Sequence, residues 1–332
     1  MKLVLSLVLV LLILGVQVCA QTVDQEDVVR VESDVTNLPV TVTDKQHHFI
    51  TTLRAEDVRV LEDGVPQTLF TFQRETDRPL AIAFLIDVSI SQAATLPDEK
   101  AATRLFIENV IKSDRDQVAI LPFTGLAYLE QPLTRDVLSA YKVLERVEVA
   151  EPSYLGTGKP LTGIPTGPRL PATPREGTTA IWDAVALTSS NVLEKAPGLR
   201  RHAIILLTDG IDTTSRLPLK DAANRALAAE TLVYVIGIGD NKMEGVDRGP
   251  LREIAERTGG RAFFPDKKFD LNSAFAEIEQ ELRTQYLIAY SSTNKKRDGS
   301  YRKITIEITN PELQKQKLVL RHRPGYFAKP GA

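Results

Sequence analysis

The stretch from Pro79 to about Arg283 constrains the fold most, because strand-length apolar runs alternate there with segments whose apolar residues fall at helical spacing. Leu80 to Ile86 is almost unbroken in its hydrophobicity, as a strand covered by helices on both faces requires. After it, Ala101, Leu105, Ile107, Val110 and Ile111 recur near helical spacing, up to about Lys112. The same alternation predicts strands at Val118 to Phe123, His202 to Leu207 and Leu232 to Ile238, and helices at Val137 to Val147, Ala180 to Leu193 and Ala222 to Glu230. A shorter unit, Leu251 to Thr258 then Arg261 to Phe264, and a helix from about Asn272 to Arg283 complete it. The fold class that follows is α/β, a Rossmann-like doubly wound, mostly parallel sheet with helices on both sides.

Both flanks read differently. Before Pro79, strands are expected at Val28 to Val31, Leu38 to Thr43, Val58 to Glu62 and Thr68 to Gln73, with Asp63-Gly64 as a hairpin turn between the last two. After Arg283, Tyr286 to Ser291, Lys303 to Ile308 and Lys317 to Arg321 read as strands separated by polar turns around Asp298-Gly299 and Asn310-Pro311. Neither arm has enough strands to bury a core comfortably alone. The two arms, residues 21–78 and 285–332, are therefore expected to pair into one small β domain into which the α/β domain, residues 79–284, is inserted.

At the N-terminus, Met1 and Lys2 precede the apolar run Leu3 to Val16, and Val18-Cys19-Ala20 places small residues where a signal peptidase reads. The run spans only about 21 Å as a helix, short of a ~30 Å hydrocarbon core, so residues 1–20 are expected to be a signal peptide cut after Ala20. The expected location is secreted, periplasmic or cell-envelope, with no membrane span in the mature chain. Lipidation at Cys19 fits less well, since Gln17 and Val18 stand where a lipobox carries small residues. Cleavage would remove the single cysteine, leaving a mature chain without disulfides. Forty-one basic against forty-three acidic residues leave no positive excess for nucleic-acid binding.

The candidate chemistry lies where predicted strands end. Ile86-Asp87-Val88-Ser89-Ile90-Ser91 sets a carboxylate and two hydroxyls at alternating positions, Gly177-Thr178-Thr179-Ala180 puts hydroxyls at a helix start, and Leu206-Leu207-Thr208-Asp209-Gly210 ends another strand in a carboxylate. Ligands of open α/β sheets bind at the carboxyl ends of strands. Hard oxygen donors suit Mg²⁺, and such a set also tolerates Mn²⁺ or Ca²⁺. Taken alone, Asp-x-Ser-x-Ser reads first as an Asp or Ser capping the following helix.

Joined in this order on this alternation, the three motifs resemble the von Willebrand factor type A domain with its metal-ion-dependent adhesion site, over about residues 79 to 284. That resemblance implies that Ser89 and Ser91 ligate a divalent cation directly and that Thr179, rather than Thr178, joins them when the site is engaged. Asp87 and Asp209 would hold waters and hydroxyls in place, and a carboxylate from a partner protein would fill the last coordination position. Gln92 stands where many relatives carry Met. The whole layout also resembles acidobacterial secreted proteins with a von Willebrand-related domain.

The expected function is thus a non-enzymatic, metal-dependent protein-binding or adhesion module. The competing reading is a Mg²⁺-dependent phosphoryl-transfer enzyme using Asp87 as nucleophile, but Ser89 stands where such sites set a second acid. Asp212 and Asp240 follow strands at the same edge and read as solvated loop carboxylates or as supports for the site. Trp182 reads as a packing residue, and His47 and His48 as decoration of an exposed turn. The proline-rich stretch Glu151 to Gly177 leads straight into the Thr179 loop, so it is expected to overhang the metal face.

Overall fold

The computed structural model describes residues 35–74, 78–112, 114–150, 159–163, 178–198, 200–239, 245–265 and 268–329. The expected signal segment, the strand expected at Val28 to Val31, Asp240, and the proline-rich stretch apart from residues 159–163 lie outside them. Four strands come first: β1 (Val35–Thr43), β2 (Val58–Glu62), β3 (Val65–Pro66) and β4 (Leu69–Arg74). The α/β portion follows as β5 (Leu80–Asp87), α1 (Leu96–Val110), β6 (Gln117–Phe123), β7 (Tyr128–Leu129), β8 (Gln131–Thr134), α2 (Val137–Arg146), β9 (Lys159–Pro160) and α3 (Ile181–Thr188). It continues through β10 (Arg201–Thr208), α4 (Leu219–Ala228), β11 (Thr231–Gly237), α5 (Arg248–Thr258), β12 (Ala262–Phe263) and α6 (Lys268–Thr284). The chain ends in β13 (Tyr286–Ser291), β14 (Tyr301–Ile308), α7 (Pro311–Lys315), β15 (Val319–Arg321) and β16 (Gly325–Phe327).

The central sheet has the order β12-β11-β10-β5-β6-β8, with every neighbouring pair parallel except the edge pair β6 and β8. The apolar run of β5 is divided between two cores. Ile82, Phe84 and Ile86 pack with Phe106 of α1, Leu144 of α2 and Phe275 of α6, while Ala81, Ala83 and Leu85 pack with Val185 of α3, Ala223 of α4 and Ile254 of α5. Burial on both faces is why this strand carries no polar residue before Asp87. The hydroxyls of Ser189 and Ser190 bond back to Val185 O and Ala186 O, and α3 runs on into a π-helical turn over Ser189–Leu193.

The two chain ends form the expected shared β structure. One antiparallel sheet has the order β15-β1-β13-β4 and the other β16-β14-β2-β3, so each mixes N-terminal with C-terminal strands. Leu38, Val40 and Val42 of β1, Val58 and Val60 of β2, Tyr286, Ile288 and Tyr290 of β13, and Ile304 and Ile306 of β14 share one core. The Asp63-Gly64 turn forms, with φ of 49° and 82°. Its hairpin differs from expectation: across the turn β2 meets only the two-residue strand Val65–Pro66, and β4 joins β13 in the other sheet. Pro66 has no N–H with which to extend the ladder. Gln67, next to it, accepts from Thr293 N at 2.9 Å and donates to Thr293 Oγ1 at 3.0 Å, which draws the chain toward β13.

An ion pair occupies one end of this β core. Glu62 and Arg302 sit on inward-facing positions of β2 and β14, are 2% exposed each, and approach to 3.2 Å. Glu62 also accepts from the hydroxyls of Tyr290 and Tyr326, both at 2.9 Å, and from Ser292. Arg302 donates in turn to Ser292 Oγ and to the carbonyls of Asn294 and Lys296. A buried carboxylate so enclosed ties the N-terminal arm to the C-terminal one, and stripping one partner leaves a charge stranded out of water. Glu62→Ala should therefore lower unfolding free energy by about 3–5 kcal/mol in urea melts. Glu307→Ala, which breaks the half-exposed pair with Arg59, should cost less than about 1 kcal/mol. Equal losses from the two would contradict this account.

Candidate metal centre

Asp87 is the last residue of β5, and Thr208, the last of the adjacent β10, lies beside it at the carboxyl edge of the sheet. Thr208 Oγ1 donates to Asp87 Oδ2 at 2.6 Å, and Ser89 N donates to Asp87 Oδ1 at 2.9 Å. The carboxyl group is fully buried, and burial pushes its pKa up to about 6 against the pull of these hydrogen bonds. The nearby carboxylate of Asp209 pushes in the same direction as burial.

Ser89 begins a 3₁₀ turn over Ile90–Gln92 but makes no side-chain cap bond. Its hydroxyl instead meets that of Ser91 at 3.0 Å. The capping alternative therefore does not describe these serines. Gln92, fully buried, donates to Ile238 O at 3.3 Å and accepts from Thr95 Oγ1 at 2.9 Å, which pins the loop against the end of β11.

Asp209 follows Thr208 directly, is 4% exposed, and accepts from Ile211 N at 3.1 Å. The turn needs Gly210: its φ is +88°, and a Cβ there would sit 2.7 Å from Leu251 Cδ1. Thr179 is tied to the same loop, its carbonyl accepting from Thr213 N at 2.9 Å and Thr214 N at 3.1 Å, and its N–H donating to Thr213 Oγ1 at 2.8 Å. The first N–H groups of α3 are satisfied by Asp212, which accepts from Ile181 N at 2.8 Å, and by Ser215 Oγ, which accepts from Trp182 N at 2.9 Å. Asp212 is thus a half-buried cap for α3 rather than a solvated loop carboxylate. Trp182 packs in the α3-side core as expected, and His48 lies exposed beside Asp44 at 3.0 Å.

Sequence reasoning missed two groups. Thr208, read only as part of a strand, orients Asp87. Glu99 is fully buried on α1, neither carboxylate oxygen has a hydrogen-bond partner, and its pKa is pushed up to about 8. Burial is the main cause, and Asp87, Asp209 and Asp98 add repulsion. The spacing of Glu99 on α1 identifies it as facing inward, but its acidity argued against placing it there.

Asp209 acts electrostatically on Asp87, the hydroxyls of Ser89 and Ser91 meet on the loop leaving β5, and the Thr179 backbone is held by Thr213 and Thr214 on the loop that follows Asp209. Among the described residues no group of three or more His, Cys, Asp and Glu side chains is arranged to hold a metal. The candidate set is of a different kind, two carboxylates with the hydroxyls of Ser89, Ser91 and Thr179. Asp87 and Asp209 are both buried and neither faces a cationic side chain in the contacts above, and the donors are all hard oxygens, so the residues fit a small divalent cation.

The sheet order, the helices on both faces and the position of this edge define a von Willebrand factor type A fold. The family model described as von Willebrand factor type A domain matches residues 170–281, about a third of the chain. Among solved structures, proximal thread matrix protein 1 from the mussel byssus is 17% identical at a TM-score of 0.50, over 67% of this chain and 51% of that one. A second structure of that protein, described as having a zinc occupied MIDAS motif, is 18% identical at a TM-score of 0.50, over 67% of this chain and 50% of that one. This chain thus spans about half the length of the mussel protein. The conserved hypothetical protein BatB from Bacteroides thetaiotaomicron is 22% identical at a TM-score of 0.44, over 61% of this chain and 97% of that one. No curated protein matches the chain.

Glu99 gives the region a pH dependence whose sign follows from its raised pKa. The unfolded carboxyl titrates near 4.5 and the folded one near 8, so the folded state retains a proton that the unfolded state has released between those values. Stability is fully present below 4.5 and declines as pH rises to 8, by up to about 5 kcal/mol at 1.36 kcal/mol per unit. In chelator, Tm should fall between pH 5 and pH 8.5, and Glu99→Gln should remove much of that fall. Identical pH profiles for the two proteins would refute the assignment.

Proposed function

We propose that this protein is a non-enzymatic binding module whose type A domain recognises an acidic residue of a partner protein through a divalent cation, Mg²⁺ or in its place Mn²⁺ or Ca²⁺. The observation that carries the reading is the 3.0 Å approach of the Ser89 and Ser91 hydroxyls beside the buried Asp87, with neither serine used as a helix cap. In this reading Ser89, Ser91 and Thr179 supply neutral oxygens to the ion, while Asp87 and Asp209 hold waters and hydroxyls around it. Few direct carboxylate ligands leave the ion with net positive character, so an anionic ligand from outside binds strongly. The mussel thread protein described as having a zinc occupied MIDAS motif holds a divalent ion, which supports the choice of ion class.

One further feature agrees with an adhesion role. Ile90, between the two serines, is 69% exposed, an apolar contact beside the ionic one. No helix among the described residues is long and apolar enough to cross a membrane. With the signal pattern of residues 1–20, we place the mature module outside the cytoplasm or in the envelope. Residues 79–284 would carry the recognition, and the β domain from residues 21–78 and 285–332 would position it.

Mg²⁺ at a hundred times its Kd should raise unfolding free energy by about 3 kcal/mol, because it binds only the folded state. Ser89→Ala and Ser91→Ala should abolish that gain and the chelator-sensitive capture of a partner from the envelope fraction, while the far-UV CD spectrum stays unchanged. Partner capture that persists in chelator would overturn the reading.

A further inference from the structure

At the amino ends of the parallel strands, the pole opposite Asp87, a partly open pocket of about 30 Å³ lies where the central sheet meets the β domain. The residues that line it include Arg78, Arg200, Arg201, Arg323 and Glu230. Arg323 is 8% exposed, and removal from water pushes its pKa down. One of its terminal nitrogens donates to Asn37 O at 2.9 Å, and the group stacks over the Tyr326 ring. Its Nε is buried with no hydrogen-bond partner. Two further residues of the lining carry a buried polar atom without a partner: His202 at Nε2, its Nδ1 being held by Ala229 O at 2.9 Å, and Gln285, 2% exposed, at Oε1.

Buried polar atoms without partners are costly, and they describe what would satisfy them. The unused Nε–H of the buried Arg323, with Arg200 in the same lining, calls for an anion. The unused amide oxygen of Gln285 calls for a donor close by. The small volume admits a group of a few atoms rather than a nucleotide or a sugar ring.

We propose that this pocket is a second binding site, independent of the metal centre, for a carboxylate that carries an adjacent O–H or N–H donor. Arg323 and Arg200 hold the carboxylate, and Gln285 Oε1 accepts from the donor. Such a group is found on free hydroxy acids and at the C-terminus of a peptide.

The test is thermal unfolding and calorimetry of the full chain with glycolate, acetate and chloride at one ionic strength, in chelator. Glycolate should raise Tm saturably, acetate should bind about tenfold more weakly for want of one hydrogen bond, and chloride should give no saturable shift. Trialanine with a free C-terminus, compared with its amidated form, separates the sources: binding only of the free form assigns a peptide terminus, and binding of glycolate alone assigns a free hydroxy acid. Arg323→Lys should weaken glycolate at least tenfold, and Arg200→Gln, at a less buried position, provides the same check if the first variant is unstable. Ser89→Ala should leave glycolate binding intact, so failure here is distinct from failure at the metal centre. Absence of saturable binding by any carboxylate, or affinities unchanged in both arginine variants, would show a pocket that holds only water.

Discussion

The carboxylate of Asp87, held out of water at the end of the central strand, is the constraint around which the upper face of the molecule is arranged. Burial alone would keep it protonated, yet Thr208 and the Ser89 N–H both stabilise its ionised form. Those two hydrogen bonds fix the turn leaving β5, and that turn sets the two serine hydroxyls face to face. Asp209 adds negative charge to the same region, and the fully buried Glu99 is held in its protonated form beside it by burial and by that repulsion. A fold stable enough to contain this cluster has to supply the energy elsewhere. The two apolar cores on either side of the sheet, built from the alternate residues of β5, β6, β10 and β11, are where it comes from.

The same division of labour holds at the other end of the molecule. The N-terminal and C-terminal arms are joined by β1 pairing with β13 and by β2 pairing with β14, and Glu62 with Arg302 closes the shared core. Glu281 of α6 makes the comparable link to the α/β portion. It is fully buried, accepts from Thr41 of β1 and Tyr234 of β11, and meets Arg321 of β15 at 3.3 Å. Buried polar groups thus sit at the junctions, where they fix which strands meet, while apolar packing fills the interiors.

The α/β alternation was legible because burial on both faces leaves a strand no choice but continuous hydrophobicity, as in Leu80 to Ile86. The flanking sheets were legible from Val58 to Glu62 and Tyr286 to Ser291, whose strands fall at those bounds. What escaped was set by partners distant in the chain. β4 follows Gln67 to Thr293 instead of folding back on β2, and α7 starts just after Asn310, whose side chain caps Glu312 N where only a turn was expected. At the candidate centre, Asp87, Ser89 and Ser91 announced themselves by spacing. The support from Thr208 did not, because a threonine ending a strand is ordinary until its neighbour is known. Glu99 was hidden for the opposite reason, since an acid on the inward face of a helix runs against every pattern that finds helices.

Anomalous diffraction from crystals grown with Mn²⁺ would locate the ion itself. One strong peak is expected at the carboxyl edge of the sheet, within coordination distance of the Ser89 and Ser91 hydroxyl oxygens and lost in a Ser89→Ala crystal. Ordered density for both serines with no peak between them and Asp209, at saturating Mn²⁺, would contradict a metal centre there.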